Sequence, residues 1–164
     1  MKLIIVESPA KAKKIQTFFP NDIIVKSSFG HINNLDTTKL DEMIEKNFTP
    51  IYKIINPKAV SMLKNIKAKE IILAADDDRE GDAIAWHTGN LFNLDYTENN
   101  RIKFNEISKR AITNALDNPM TLDMNSVNAQ RARQFIDLYI GYKVSPLLSK
   151  HIQTDKKGLV YKLY

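Results

Sequence analysis

The sequence contains no cysteine, which excludes a disulfide framework and a thiolate zinc site. Three histidines without cysteine also make zinc a poor candidate. Long apolar runs are absent as well. The opening MKLIIVESPAKAKK has four apolar residues before Glu7, too few for a signal peptide or a membrane span, so the expected setting is cytosolic or nuclear, with no membrane partner. Five glycines and six prolines form no low-complexity tract, and 43% hydrophobic residues suffice for a globular chain. With 164 residues, one real core and a small helical appendage are expected.

The net charge of +5 is uneven. Val127 to Tyr164 holds seven Lys or Arg against Asp137 and Asp155, which accounts for the whole excess and leaves residues 1–126 balanced. A neutral body with a basic end suits an anionic polymer; a solvated basic face is the bland alternative.

What the sequence does have is concentrated in EIILAADDDREGDAIAWH, residues 70–87. Ile71 to Ala74 reads as a buried parallel strand, short, β-branched at its start and without alternation. Asp76, Asp78 and Glu80 follow at its carboxyl end, and a helix is expected from Gly81 to about Leu91. In an open α/β sheet that edge is where strand ends and helix N-termini line a crevice.

Leu3 to Val6 repeats the arrangement: an apolar run, Glu7, a Ser8–Pro9 helix start, and a helix to about Phe19. A third short strand is expected at Ile23 to Lys26, and Gly30 of SSFGH marks a backbone conformation that a side chain would oppose. Residues 36–49 read as a surface excursion, Ile51 to Ile55 as a partly buried strand, and Pro57 as the start of a helix with Val60, Leu63 and Ile66 inward. Arg101 to Phe104 reads as another strand, and Ser108 as the cap of KRAITNALD. From Met124 the pattern is helical until Ser145 and Pro146, which are expected to break or redirect it. The fold class is therefore α/β, a sandwich with a mainly parallel sheet and a short helical C-terminal extension.

Asp76 and Asp78 are two apart, so on extended backbone they point the same way; Glu80 adds a third carboxylate and Glu7, from a neighbouring strand end, a fourth. Their mutual repulsion is relieved by a divalent cation, and an oxygen-only ligand set favours Mg²⁺ or Mn²⁺. The other reading is a solvated acidic turn paired with arginine. Lys11 and Arg79 are placed either to contact a phosphate or to lie in solvent or against a neighbouring carboxylate. Asp77 and Asp82 are weaker candidates, Asp82 as a residue favoured by the positive end of a helix. His31 is a proton carrier, a phosphate contact or an ordinary loop histidine, whereas His87, beside Trp86, reads as packing or capping. On the C-terminal helix Arg131 and Arg133 fan apart, Gln130 and Gln134 share a face, and Tyr139 and Tyr142 either stack on bases or pack.

LIIVESPAKAKKI, IVKSSFGHINNL, ILAADDDREGDAIAWH, RIKFNEISKRAI and VNAQRARQFIDLYIGYKVSPLLSK together resemble, in order, the N-terminal part of the type IA DNA topoisomerases, over about residues 2–152. The resemblance implies a Toprim domain at 1–120, a fold shared with primases and some nucleases, and a truncated helical segment at 121–164 that holds single-stranded DNA. It implies catalytic roles for Glu7, Lys11 and Arg79, and a Mg²⁺ site (Mn²⁺ as the alternative) from Glu7, Asp76, Asp78 and Glu80. DNA contacts are implied at Lys11, His31, Gln130, Arg131, Arg133 and Asp137. QRARQxxD here departs from the family's QQARRxxD at Arg131 and Gln134, and Ala75 and Asp77 stand between the paired acids where the family differs.

The activity implied is ATP-independent cleavage and rejoining of single-stranded DNA through a tyrosine phosphodiester, in a cytoplasmic or nucleoid-associated setting, with a nuclear one left open. None of Tyr52, Tyr96, Tyr139, Tyr142, Tyr161 and Tyr164 stands in a copy of the family's tyrosine motif, so the topoisomerase cleavage domain is the protein partner expected. An independent Toprim nuclease or primase-like enzyme and a noncatalytic DNA-binding remnant are the alternatives. Plasmid incubated with the pure chain and Mg²⁺ is expected to stay supercoiled on an agarose gel; relaxation would contradict the missing nucleophile.

Overall fold

The computed structural model describes residues 1–21 and 23–152, so TDKKGLVYKLY, with Tyr161, Tyr164 and much of the basic end, lies outside the described residues. Its central strand is β1 (Lys2–Val6), hydrogen-bonded in parallel to β2 (Ile23–Ser27) on one side and β5 (Glu70–Leu73) on the other. Because β1 is covered on both faces, its apolar run has no polar alternation. Ile4 and Val6 point to one layer, with Ile15 of α1 (Pro9–Gln16) and Ile112 of α5 (Lys109–Asp117). Leu3 and Ile5 point to the other, with Leu63 of α3 (Pro57–Lys64), Ala85 of α4 (Arg79–Asn90) and Val127 of α6 (Met124–Tyr139). A two-layered cover on a parallel sheet is the α/β arrangement expected.

Beside the sheet, β3 (Asn33–Leu35) and β4 (Tyr52–Ile54) form an antiparallel pair. Between them the chain differs from the surface excursion expected at 36–49. Asp36 caps a 3₁₀ turn at Thr37–Lys39, which leads into α2 (Leu40–Glu45); Leu40 and Met43, three apart, are buried with Leu35 and Phe135 of α6. Leu40, Met43 and Ile44 are the apolar residues of this short, charged helix, and they form a core only together with Leu35 and the distant Phe135.

Arg101 to Phe104 is not a strand either. Only Arg101 bridges, in parallel to Leu73 and antiparallel to Met120, so the sheet is extended by one residue rather than by a ladder. At the C-terminal end, Ser145 and Pro146 do not break the helix. They open α7 (Ser145–Ile152), and the turn before it, Ile140–Val144, is π-helical, wide enough to accommodate the missing N–H and the ring of Pro146.

His87 of α4 is 1% exposed and packs edge-on against Tyr52 and Trp86, with ring centroids 4.6 and 4.7 Å away. Burial pulls its pKa from 6.5 to about 4, helped by His31 and Arg131. The unfolded chain takes a proton there at a pH where the folded one does not. Stability from this group is therefore complete above pH 6.5 and is lost as pH falls toward 4, by roughly 3 kcal/mol in all. Urea unfolding of wild type and His87→Phe at both pH values should show the variant's acid loss smaller by about that amount.

Candidate active site

Three strand ends meet at one edge of the sheet. β1 runs out at Glu7 and β5 at Ala74, whose N–H still donates to the Ile5 carbonyl at 2.8 Å. β2 leads into the Ser27–His31 loop. Ser8 caps α1 by accepting from the Lys11 N–H at 3.3 Å, and Asp78 caps α4 by accepting from the Gly81 N–H at 2.6 Å. Both helices thus begin at this edge, where their unpaired N–H groups favour negative charge.

The loop after β2 is bent to hold Glu7. Phe29 and Gly30 have φ of 59° and 79°, and the Gly30 N–H and Ser27 hydroxyl both donate to the Glu7 carbonyl, at 2.9 and 2.7 Å. This is the conformation expected of Gly30. The half-buried Glu7 side chain in turn accepts the Asp76 N–H at 2.7 Å through Oε1, so the strand-end acids of β1 and β5 are brought together.

The four carboxylates do not, however, converge on one point. Asp76 pairs with Lys11, Asp78 serves as the cap of α4, and Glu80 turns to His31 Nε2 at 3.1 Å. Among the described residues no three Asp, Glu or His side chains stand close enough to hold a metal ion. The β5 ladder ends at Leu73 and the chain bends at residues 77–78, so the expected shared orientation of Asp76 and Asp78 is not kept. Asp77 pairs with Lys103 at 2.6 Å, which holds its carboxyl below the usual range. Every acid from 76 to 82 has an N–H or a cation as its partner.

Asp82 and Arg101 make the pair that the sequence conceals. Asp82, expected only to favour the helix end, is 2% exposed, and Arg101 is fully buried. The guanidinium donates from Nε to Asp82 Oδ1 at 3.2 Å, from Nη1 to the Ala75 and Ile102 carbonyls at 2.6 and 2.7 Å, and from Nη2 to the Asp76 carbonyl at 2.7 Å. Burial lowers the Arg101 pKa, and the Asp82, Asp77 and Glu7 carboxylates oppose that shift. The available sequence signal was the run of small residues around Asp82, Gly81 and Ala83, which lets another element come close. Arg79, by contrast, is exposed at the first position of α4 and makes no ion pair among the described residues.

On α6 the two arginines do separate. Arg131 lies over the Trp86 ring at 4.5 Å and donates to the Tyr52 hydroxyl at 3.1 Å, so it is held within the fold. Arg133 is exposed and 3.7 Å from Asp137, also exposed. Gln130 is half-buried, and Gln134 has a buried Oε1 without a hydrogen-bond partner among the described residues. A cavity of about 450 Å³ runs along α6, lined by Phe48, Pro50, Arg131, Ile136 and Tyr139 among others.

Residues 2–107 match the Toprim domain family. Among solved structures, the full-length topoisomerase I of Thermotoga maritima superposes with a TM-score of 0.80 and 44% identity over 89% of this chain. The chain spans 26% of that protein's length.

Gly81 sets how closely the acidic loop lies on α4. A Cβ there would stand 2.2 Å from the Asp76 carbonyl oxygen, a clash with backbone. Gly81→Ala should therefore cost about 1–3 kcal/mol in urea unfolding, while Gly141→Ala, where a Cβ meets nothing within 4 Å, should cost well under that.

Proposed function

Since the chain belongs to the Toprim domain family, we propose that it provides the acidic, N-terminal half of the DNA cleavage and rejoining site of an ATP-independent type IA topoisomerase. The observation that carries this reading is the junction of Glu7 with the Asp76 N–H at the joined ends of β1 and β5. It is supported by the likeness to topoisomerase I, which covers more of the chain than the Toprim residues and so favours this enzyme over a free-standing nuclease or primase. On this reading the Toprim unit is 1–120, and 121–164 belongs to the segment that holds DNA.

Toprim domains bind divalent metal ions. The donor chemistry here fits a hard cation, because Glu7, Asp76, Asp78 and Glu80 offer oxygen alone. The present partners of Asp76 and Glu80 are solvent-side pairs with Lys11 and His31, and ion pairs of that kind are weak. We assign Mg²⁺, with Mn²⁺ as its substitute; when bound, it would neutralise charge on a phosphodiester and orient it.

The chain's own groups divide the remaining work. Lys11, once released from Asp76, reaches the phosphate at the N-terminus of α1, and Arg79 adds a second positive charge at the start of α4. Glu7 has one oxygen fixed by the Asp76 N–H, which leaves the other to take the proton lost by the attacking tyrosine hydroxyl and pass it to the departing deoxyribose 3′ oxygen. His31 would then steady Glu80 and contact the strand. Arg133, with Gln130 and Asp137, lines the path of single-stranded DNA on α6, and Arg131 acts through the aromatic surface it covers. The attacking tyrosine would come from the cleavage domain of such an enzyme, since Tyr52 and Tyr96 are engaged in packing and hydrogen bonding. A cytoplasmic, nucleoid-associated location goes with this function, and no helix among the described residues is long and apolar enough to cross a membrane.

Mn²⁺ binding followed by electron paramagnetic resonance tests the site. Asp78→Asn keeps a helix cap while removing a charge and should weaken binding about tenfold or more. In fluorescence anisotropy, a labelled single-stranded oligonucleotide should bind more tightly than duplex, and Arg133→Ala should reduce the slope of log K against log salt by about 0.7. Wild type that ignores both Mn²⁺ and single-stranded DNA would reject the proposal.

A further inference from the structure

The acidic loop owes its shape to a residue that touches none of the reacting groups. Among the described residues β5 has no partner on its far side except the single bridge of Leu73 with Arg101, and the carbonyls of Ala75 and Asp76 lie beyond the end of the sheet ladder. Both are taken by the Arg101 guanidinium, at 2.6 and 2.7 Å, and the Leu73 carbonyl lies 3.4 Å from the same group. Asp82 fixes the guanidinium from α4, and Lys103 stands 3.6 Å from the other Asp82 oxygen. The Asp76 peptide is consequently held at both ends, its carbonyl by Arg101 and its N–H by Glu7. Gly81 closes the third side, with no room for a Cβ against Asp76.

We infer that Arg101, seated on Asp82, is the positioning residue that holds the Asp76–Asp78 loop in the conformation from which its carboxylates take up a divalent cation. This rests on the metal-binding reading above. A planar group with five donors can reach several carbonyls at once, and a lysine ammonium cannot reproduce that fork. The side chain is fully buried, so its effect on the ion passes through the loop backbone rather than through direct contact. Groups that orient ligands in this way usually matter to affinity nearly as much as the ligands do.

Two variants of the full chain test the inference. Arg101→Met combined with Asp82→Leu replaces a buried ion pair with apolar groups of similar volume, an exchange that folded proteins often tolerate. Arg101→Lys keeps the charge opposite Asp82 but loses the fork. Each should melt cooperatively by circular dichroism, bind Mn²⁺ about tenfold to a hundredfold more weakly, and show faster hydrogen exchange at the Asp76 amide. Folded variants that bind Mn²⁺ within about twofold of wild type would overturn the positioning role while leaving the functional reading intact. If wild type binds no Mn²⁺, the functional reading fails and this inference with it. If neither variant folds, Arg101 is a structural residue only, and the inference is wrong.

Discussion

A fully buried guanidinium has to satisfy its donors inside the protein, and the segment from Leu73 to Asp82 is arranged around doing so. Removing such a charge from water costs several kcal/mol, offset only where a counter-ion and well-aligned acceptors replace the hydration shell. Asp82 supplies the counter-ion and the carbonyls of Ala75, Asp76 and Ile102 supply the acceptors. The benefit is reciprocal. These are backbone groups at the point where the sheet runs out, and without Arg101 they would lose the donor that pairs them. One side chain thus ends the strand, starts the loop and ties both to α4.

That fixed backbone explains how the fold tolerates a concentration of acids. Asp76, Asp77, Asp78, Glu80 and Asp82 crowd into seven residues, yet each is answered by a different neighbour: Lys11, Lys103, the Gly81 N–H, His31 and Arg101. The answers differ in depth. Asp82 and Arg101 have almost no exposed surface and belong to the scaffold. The Lys11 and His31 pairs lie toward solvent, where ion pairs are weak and exchange readily. A scaffold pair beneath and dissociable pairs above is an arrangement compatible with the phosphate and cation uptake proposed for this edge.

The C-terminal helices meet the α/β body through α6. Val127 enters the core beneath β1, Phe135 completes the small cluster around α2, and Arg131 settles on Trp86 of α4. These contacts fix which face of α6 turns outward, and so leave Arg133 and Asp137 exposed. The π-helical turn before α7 then carries the chain past Pro146 without ending the helix.

Much of this was written locally. Leu3 to Val6 and Ile71 to Leu73 announce doubly covered strands because burial on both faces removes polar alternation, and Ser8 and Ser108 mark helix starts because an N-cap is a contact within four residues. Gly30 likewise revealed a positive φ, a property of a single residue. What tertiary structure decided were the contacts between residues far apart in the chain. α2 became a buried helix through Leu35 and the distant Phe135, and Arg101, at the head of the stretch Ile102–Phe104, became a clamp only because α4 and the end of β5 lie beside it. The acids could be counted from the sequence, but their directions could not. Repulsion among like charges sets no geometry by itself, and each side chain turned toward whichever N–H or cation the packed fold placed within reach.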